Sequence, residues 1–339
     1  MRGRAEHGPD MAWEPDAQPL GSSLDVVGVG EAMLLLQALP PATLTTASEL
    51  AVDVAGAELN ACAAIARLGG HSALLSRVGN DAPGERIRRA MTALGIDDRM
   101  TATDDRAQTG LFLRETPADG SRRVIYYRGD SAASKMDRSD AERLWEQEPP
   151  RALILSGITA ALGAGVRELM NMIAKQARTH GTAVVVDVNL RPTLGSVTEV
   201  IRTLQSLLPN TALLVLGDDE SGPLFGSTDP TEVFAAARAA GVSETVLKGG
   251  AQGCWYLDND GTPTHMPSRT KTVVDPIGAG DAFLGGYLAA RLTGANPGGA
   301  AMLGSELAAA VISAPGDTAG LPGPEVARSL IEHAVRTNR

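Results

Sequence analysis

The sequence predicts an α/β protein: a mainly parallel sheet flanked by helices, with a small β-sheet lid inserted into it. Three observations carry that reading. Apolar strand-like runs alternate with helix-like runs along most of the 339 residues, the rhythm of parallel strands covered on both faces. Two β-rich pieces, residues 34–54 and about 108–130, break the rhythm. Residues 273–287, VVDPIGAGDAFLGGY, run from a β-rich start at Val273 and Val274 through a glycine-rich loop into a small-residue helix.

Taken in order, residues 1–23 are polar, broken by prolines and without the apolar stretch of a secretory signal. They are expected to be a disordered extension, with Met11 as an alternative start, and the ordered domain spans 24–335. Residues 24–30 form a buried strand, 59–68 a helix ending at Gly69 and Gly70, 72–78 a strand and 84–94 a helix closed by Gly95. An apolar strand at 152–156 and a helix at 166–180 stopped by Gly181 follow. Strands at 183–188, 212–216 and 245–248 enclose a helix at 231–240, and helices at 281–292 and 299–312 complete the pattern. In the interrupting pieces, 34–54 has prolines and β-type residues without helical period. Residues 110–114 and 123–128 alternate about the turn-like 117–120, which reads as a hairpin. Ligands in such folds bind beyond the carboxyl ends of the strands. A lid there would keep water from a reaction that water could spoil.

Composition narrows the functions. Net charge is −10, without a basic stripe, so nucleic acid is not an expected partner. No run of about 18 apolar residues exists, so no membrane span is expected. Cys62 and Cys254 lie far apart and lack metal-ligand spacing, which fits a reducing cytoplasm.

Several constellations bear on chemistry. In residues 278–281, GAGD, the backbone N–H groups of a starting helix make an anion hole, and Asp281 at its mouth can take a proton from an attacking hydroxyl. A glycine-rich turn with Asp281 as an ordinary N-cap is the plain alternative. Gly28, Gly30 and Met33 give most of a dinucleotide fingerprint, with Asp53 near the place of a ribose-binding acid. Pro40 and Pro41 intervene and no helix follows, so a strand opening into a cleft is preferred. In AGAELN, Gly56 permits close approach and Asn60 can bond hydroxyls, or the segment is simply a helix start. Tyr126 and Arg128 share one strand face and suit a carboxylate or polyol, unless the strand is a solvated edge. Asp187, Asn189 and Arg191 end a strand at the expected cleft, or are a charged strand end in solvent; residues 217–220, GDDE, end the next strand, where their acids could hold Mg²⁺ through water or simply form a charged turn and helix start. Residues 248–253, KGGAQG, offer glycines beside Lys248, where a nucleotide could lie or where a plain turn is formed. No GxxxxGK[ST] is present.

In this order, these residues resemble the ribokinase/PfkB-like carbohydrate kinases, over residues 24–335. The most specific part is residues 275–281 with Phe283, supported by SRVGND at 76–81. The chain is most similar to 2-keto-3-deoxygluconate kinases, through RVIYYRGDSAAS at 123–134, LSGIT at 155–159, DVNLR at 187–191 and GDTAGLP at 316–322. The resemblance implies a ribokinase-like fold and ATP- and Mg²⁺-dependent phosphorylation of a sugar acid at its terminal hydroxyl. It implies Asp281 as general base and Gly278, Ala279 and Gly280 as the hole for the γ-phosphoryl. Gly56, Asn60, Tyr126, Arg128, Arg191 and Asp317 would hold the substrate. Asn189, Lys248, Gly249, Gly250 and Gly253 would line the ATP site, with Glu220 toward the metal. It also implies a homodimer paired through the lids. The alternatives are a kinase for a neutral sugar or nucleoside, and a non-catalytic sugar-binding relative. The chain departs from the pattern at Ala55, where a first glycine is usual, at Phe112, commonly tyrosine, at Gly217, commonly asparagine, and at Gly249, commonly basic or polar.

Overall fold

The computed structural model describes residue 13, residues 15–117 and residues 121–336. Strands are numbered along the chain: β1 Val26–Val29, β2 Met33–Gln37, β3 Ala51–Ala55, β4 Ser72–Gly79, β5 Ile96–Asp97, β6 Thr101–Asp104 and β7 Leu111–Glu115. There follow β8 Arg123–Tyr127, β9 Ala152–Ser156, β10 Ala183–Asp187, β11 Leu213–Gly217, β12 Glu244–Lys248, β13 Cys254–Leu257 and β14 Pro263–Met266. Ten of them form one sheet in the order β14-β13-β12-β11-β10-β9-β1-β4-β5, with β6 also on β4. From β12 to β5 the pairing is parallel; β13 and β14 add an antiparallel edge.

The central strands read as unbroken apolar runs because each face has its own core. Val26, Leu213 and Val215 face one cluster, with the helices Ala57–Arg67, Ala279–Leu292 and Pro297–Ile312. Val27, Leu214 and Leu216 face the other, with the helices Ala164–His180 and Val197–Leu207. The small residues of Ala279–Leu292 have a packing cause. A Cβ at Gly285 would lie 2.6 Å from the Ala64 Cβ, and one at Gly286 would lie 3.1 Å from the Gly304 Cα. Three helices thus approach closely, and the loop that ends at Gly278 leads into the middle one.

The two interrupting pieces form a separate four-stranded sheet, β3-β2-β7-β8. The β7–β8 pair is antiparallel, Phe112 opposite Tyr126, and residues 118–120 between the strands lie outside the described residues. Met33, Leu35, Ala55 and Phe112 make the inner core of this lid, with Val124 and Tyr126 packed on it.

Some expectations are corrected. Val273 and Val274, read as a β-rich run, form no strand; they are 60% and 53% exposed, with no neighbouring strand to pair with. Of the extension expected to be disordered through Ser23, residues 1–12 and 14 lie outside the described residues. The rest is laid against the domain: Gln18 N–H donates to Leu292 at 3.3 Å, and Trp13 and Leu20 pack on the core. Helices Arg138–Trp145, Val197–Leu207 and Pro324–Arg336 and the β13–β14 hairpin were not anticipated. No helix among the described residues is long and apolar enough to cross a membrane. Cys62 and Cys254 are free and buried.

Candidate active site

The site lies beyond the carboxyl ends of the parallel strands, under the lid. Gly278 precedes the helix Ala279–Leu292 as its N-cap, with φ 79°, and that helix start has no side-chain cap. A residue with a Cβ would be strained at that φ. It would also meet the Asp317 carbonyl oxygen at 2.5 Å. The first-turn N–H groups are therefore left for an anion, at the positive end of the helix dipole.

Asp281 stands in the first turn of that helix, half-buried, and is not its cap. Asn60 Nδ2 donates to Asp281 Oδ2 at 2.8 Å, and lies 3.5 Å from Asp317 Oδ2. Burial pushes the Asp281 carboxyl up to about 7; the charges of Asp187 and Asp317 add to that, while the Asn60 amide and Arg191 oppose it. A carboxyl poised near neutrality accepts a proton in its ionised form without being too weak a base.

Gly56 begins the helix Ala57–Arg67 in extended backbone. A Cβ there would lie 2.4 Å from the Glu31 carbonyl oxygen, so glycine is set by contact rather than by φ. Glu31 in turn holds the lid's Arg128: Nε donates to Glu31 Oε2 at 2.6 Å, and Ser131 Oγ donates to Oε1. Arg128 is 7% exposed, lies 5.9 Å from the Tyr126 ring centre, and leaves Nη1 buried without a partner. Burial raises the Glu31 pKa against the opposing charge of Arg128. Deeper in, Glu58 accepts from Thr159 Oγ1 at 2.7 Å and from Ser156. A Cβ at Gly30 would meet its carboxylate at 2.2 Å. The glycines of the apparent dinucleotide fingerprint thus make room for a buried acid, and Asp53 sits exposed on the lid strand β3.

A second arm comes from the ends of β10, β11 and β12. Lys248 Nζ donates to Asp187 Oδ1 at 3.1 Å. A Cβ at Gly280 would be 3.3 Å from that Nζ, so the ammonium lies beside the anion hole. Burial alone would lower the Lys248 pKa, but Asp187 and Glu220 outweigh it and raise it. Asn189, buried, has φ 35°, a strained value for a side chain other than glycine. Its Nδ2 donates to Asp187 Oδ2 at 3.2 Å and its Oδ1 has no partner. Glu220 accepts from the N–H groups of Leu190 (2.8 Å) and Gly217 (2.6 Å). GDDE is thus a capping helix start whose Glu220 is engaged with backbone. Among the described residues no group of three or more His, Cys, Asp or Glu could hold a metal ion. Arg191 is exposed at the rim, near enough to act on Asp281. Gly249, Gly250 and Gly253 form the turn between β12 and β13, closed by Gly249 N–H to the Gly253 carbonyl at 2.8 Å. A Cβ at Gly249 would strike the Trp255 ring at 2.4 Å, which accounts for glycine there.

Sequence reasoning missed Arg114, Asp275, Glu31 and Glu58. Arg114 is 2% exposed and pairs with Asp317 at 2.9 Å and Asp275 at 3.6 Å. Strand parity was the available signal, because Arg114 shares a face with Phe112.

Comparison with known proteins matches residues 23–324 to the pfkB family carbohydrate kinase model. The chain is 31% identical over 285 residues to the 2-dehydro-3-deoxygluconokinase of Thermoproteus tenax, covering 83% of this chain and 86% of that protein. It is 30% identical over 273 residues to the enzyme of the same name from Bacillus subtilis, covering 80% and 84%. A crystal structure of a PfkB protein from Polaromonas sp. JS666 superposes with a TM-score of 0.79, at 30% identity, over 91% of this chain and 99% of that one. An Escherichia coli protein solved in complex with ATP and Mg²⁺ shares the fold at 21% identity, TM-score 0.81, over the same shares.

Proposed function

The chain belongs to the pfkB family of carbohydrate kinases, and from that premise we propose that it phosphorylates a sugar acid at its terminal hydroxyl, 2-keto-3-deoxygluconate (2-dehydro-3-deoxygluconate) foremost. The observation that carries the substrate class is Arg128. A buried guanidinium N–H without a partner costs about 1–3 kcal/mol, and a carboxylate brought under the lid would meet Nη1 and relieve that cost.

Asp281 takes the proton of the sugar hydroxyl as its oxygen attacks phosphorus. Asn60 holds the accepting carboxylate in place. The backbone of Gly278, Ala279 and Gly280 stabilises the charge on the transferring group, and Lys248 adds a cation beside it. Gly56 lets the substrate approach the helix start, and Tyr126, Arg191 and Asp317 line its pocket. The residues fit ATP: an uncapped helix start, a lysine beside it and an unpartnered Asn189 Oδ1 meet phosphates and polar edges. Gly249, Gly250 and Gly253 would flank it. ATP supplies the phosphoryl group and Mg²⁺ shields its charge. Glu220 and Asp187 would act on the ion through water, since both Glu220 oxygens already accept from backbone.

Two further parts of the reading concern the setting. The lid face opposite its core carries apolar residues on all four strands, of which Val52, Ile125 and Tyr127 are exposed while Val54 packs on the main core. Tyr127 is 59% exposed, and such a face suits a second copy, giving a homodimer through the lids. Free buried cysteines suit a cytoplasmic protein.

The test is ADP release with Mg²⁺-ATP across 2-keto-3-deoxygluconate, 2-keto-3-deoxygalactonate, gluconate, fructose, ribose and adenosine. Turnover on a keto-deoxy acid with little on fructose or ribose supports the reading. Preference for a neutral substrate keeps the kinase and removes the sugar-acid assignment. No turnover, with ATP bound, favours a substrate outside the panel or a non-catalytic relative.

A further inference from the structure

Arg114 projects from the inner face of lid strand β7, in the row Gln37–Arg114–Val124. Its donors point away from the lid's apolar core. Nε and Nη2 reach the Gln37 side-chain oxygen on neighbouring β2 at 3.2 and 2.8 Å. Nη1 donates to Asp317 Oδ1 at 2.9 Å, and Nη2 lies 3.6 Å from Asp275 Oδ2. The two carboxylates belong to segments that shape the catalytic loop. Asp275 starts it, accepting from Ile277 N–H at 3.2 Å. Asp317 stands behind its turn: the Asp317 carbonyl backs Gly278, and Asn60 is shared between Asp317 and Asp281.

We propose that Arg114 is a positioning residue that latches the lid to the catalytic loop, so that lid closure and loop order are one event. The inference rests on the kinase reading above and extends it to how water is excluded. Without the guanidinium, Asp275 and Asp317 face each other uncompensated beneath the lid. Two like charges in a partly dry space repel strongly. The lid then lifts, and the loop loses the partner that fixes its two flanks. With the lid raised, water replaces the sugar hydroxyl as nucleophile. Its oxygen bonds to phosphorus, the bond to ADP breaks, and Asp281 takes the water proton.

The experiment compares full-length wild type, Arg114→Gln, Arg114→Lys and Asp275→Asn in two arms. The first measures ADP and phosphorylated sugar in the same reaction. Wild type should form them in equal amounts. Arg114→Gln should lose roughly tenfold or more in kcat for sugar, as expected for a misplaced reacting geometry, while ADP exceeds sugar phosphate. Arg114→Lys should restore part of both. The second arm is hydrogen exchange of the protein without ligands. Peptides covering 273–282 and lid peptides covering 111–116 should lose protection together in Arg114→Gln, and in Asp275→Asn to a lesser degree. Equal product ratios with near-wild-type kcat would overturn the latch. So would loosening of the lid peptides with the loop unchanged. If Arg114→Gln does not fold, the lysine and asparagine variants carry the test. If wild type phosphorylates nothing in the panel, the sugar-acid reading falls, and the exchange arm alone decides the latch.

Discussion

The two ends of the large sheet bury arginines in opposite ways. At the end where β12 begins, Arg291 meets Glu244 through Nε and Nη2 at 3.0, 3.1 and 2.8 Å, and the Tyr287 hydroxyl donates to the same carboxylate at 2.6 Å. Its remaining donors reach the carbonyls of Ala295 and Trp13. One cation meets one anion and the nitrogens are all used. At the other end Arg128 keeps a buried Nη1 without a partner, and Asn60 Oδ1 and Asn189 Oδ1 are likewise unpartnered. Burial pushes the Asp281 carboxyl up to about 7, and the charges of Asp187 and Asp317 add to that. A closed set of polar bonds holds a fold, whereas open ones cost stability and mark the place kept for another molecule.

Removing Asp281's charge should separate the two ends most sharply. Asp281→Asn should lower kcat by roughly 10²–10⁴-fold, the usual worth of a general base, without lowering the urea midpoint and with ATP binding kept. Near-full turnover would remove the assigned role. At the opposite end, Glu244→Ala leaves Arg291 buried without its anion. About 3–5 kcal/mol of stability should be lost, as for other broken buried pairs, with turnover per folded molecule unchanged. A small loss in a urea melt would make the two networks alike. Next in size, Arg128→Ala should raise KM for the keto-deoxy acid by about ten- to a hundredfold, the worth of a charged hydrogen bond, and scarcely alter fructose. Equal effects on acid and neutral substrates would argue against carboxylate recognition.

Acidity gives a subtler contrast. The base must be ionised, so kcat/KM should climb with pH through about 7. Stability should run the other way. The folded state holds the Asp281 proton more tightly than the ordinary value of 3.8 allows. The folded chain then binds more protons than the unfolded one between the two values, so stability falls as pH rises through that window. Urea midpoints from pH 4 to 8 should show this fall in wild type and less of it in Asp281→Asn; parallel curves would contradict it. The smallest effect is expected of Gly280→Ala. Its Cβ would stand 3.3 Å from Lys248 Nζ, a flexible tip that can give way. The loss should stay below about tenfold in kcat, or ~1.4 kcal/mol.

The same division decides what the sequence made legible. The anion hole and Asp281 are neighbours in the chain, so one stretch of letters contains their geometry. The central strands β1, β9, β10 and β11 were readable because a sheet covered on both faces fills nearly all their positions with apolar residues. Arg114 was not readable as part of the site, because its partner Asp317 is 203 residues away, and a charged residue in a hairpin ordinarily faces water. Val273 and Val274 misled for the converse reason: β-branched residues favour a strand only where another strand is beside them. Lys248 was placed with the nucleotide, yet its ammonium also stands beside Gly280 in the first turn of the helix Ala279–Leu292.

Gly56 and its neighbour Ala55 show how a two-letter pattern can hide two unrelated constraints. Ala55 closes β3 and sends its methyl into the lid core with Met33, Leu35 and Phe112. Gly56 has the Glu31 carbonyl 2.4 Å from where a methyl would sit. The first position is limited by the packing around it, since Ala55 is buried and an added methylene there would crowd the lid core. The second is limited by backbone, because any side chain at Gly56 would force the start of the helix Ala57–Arg67 away from the Glu31 carbonyl.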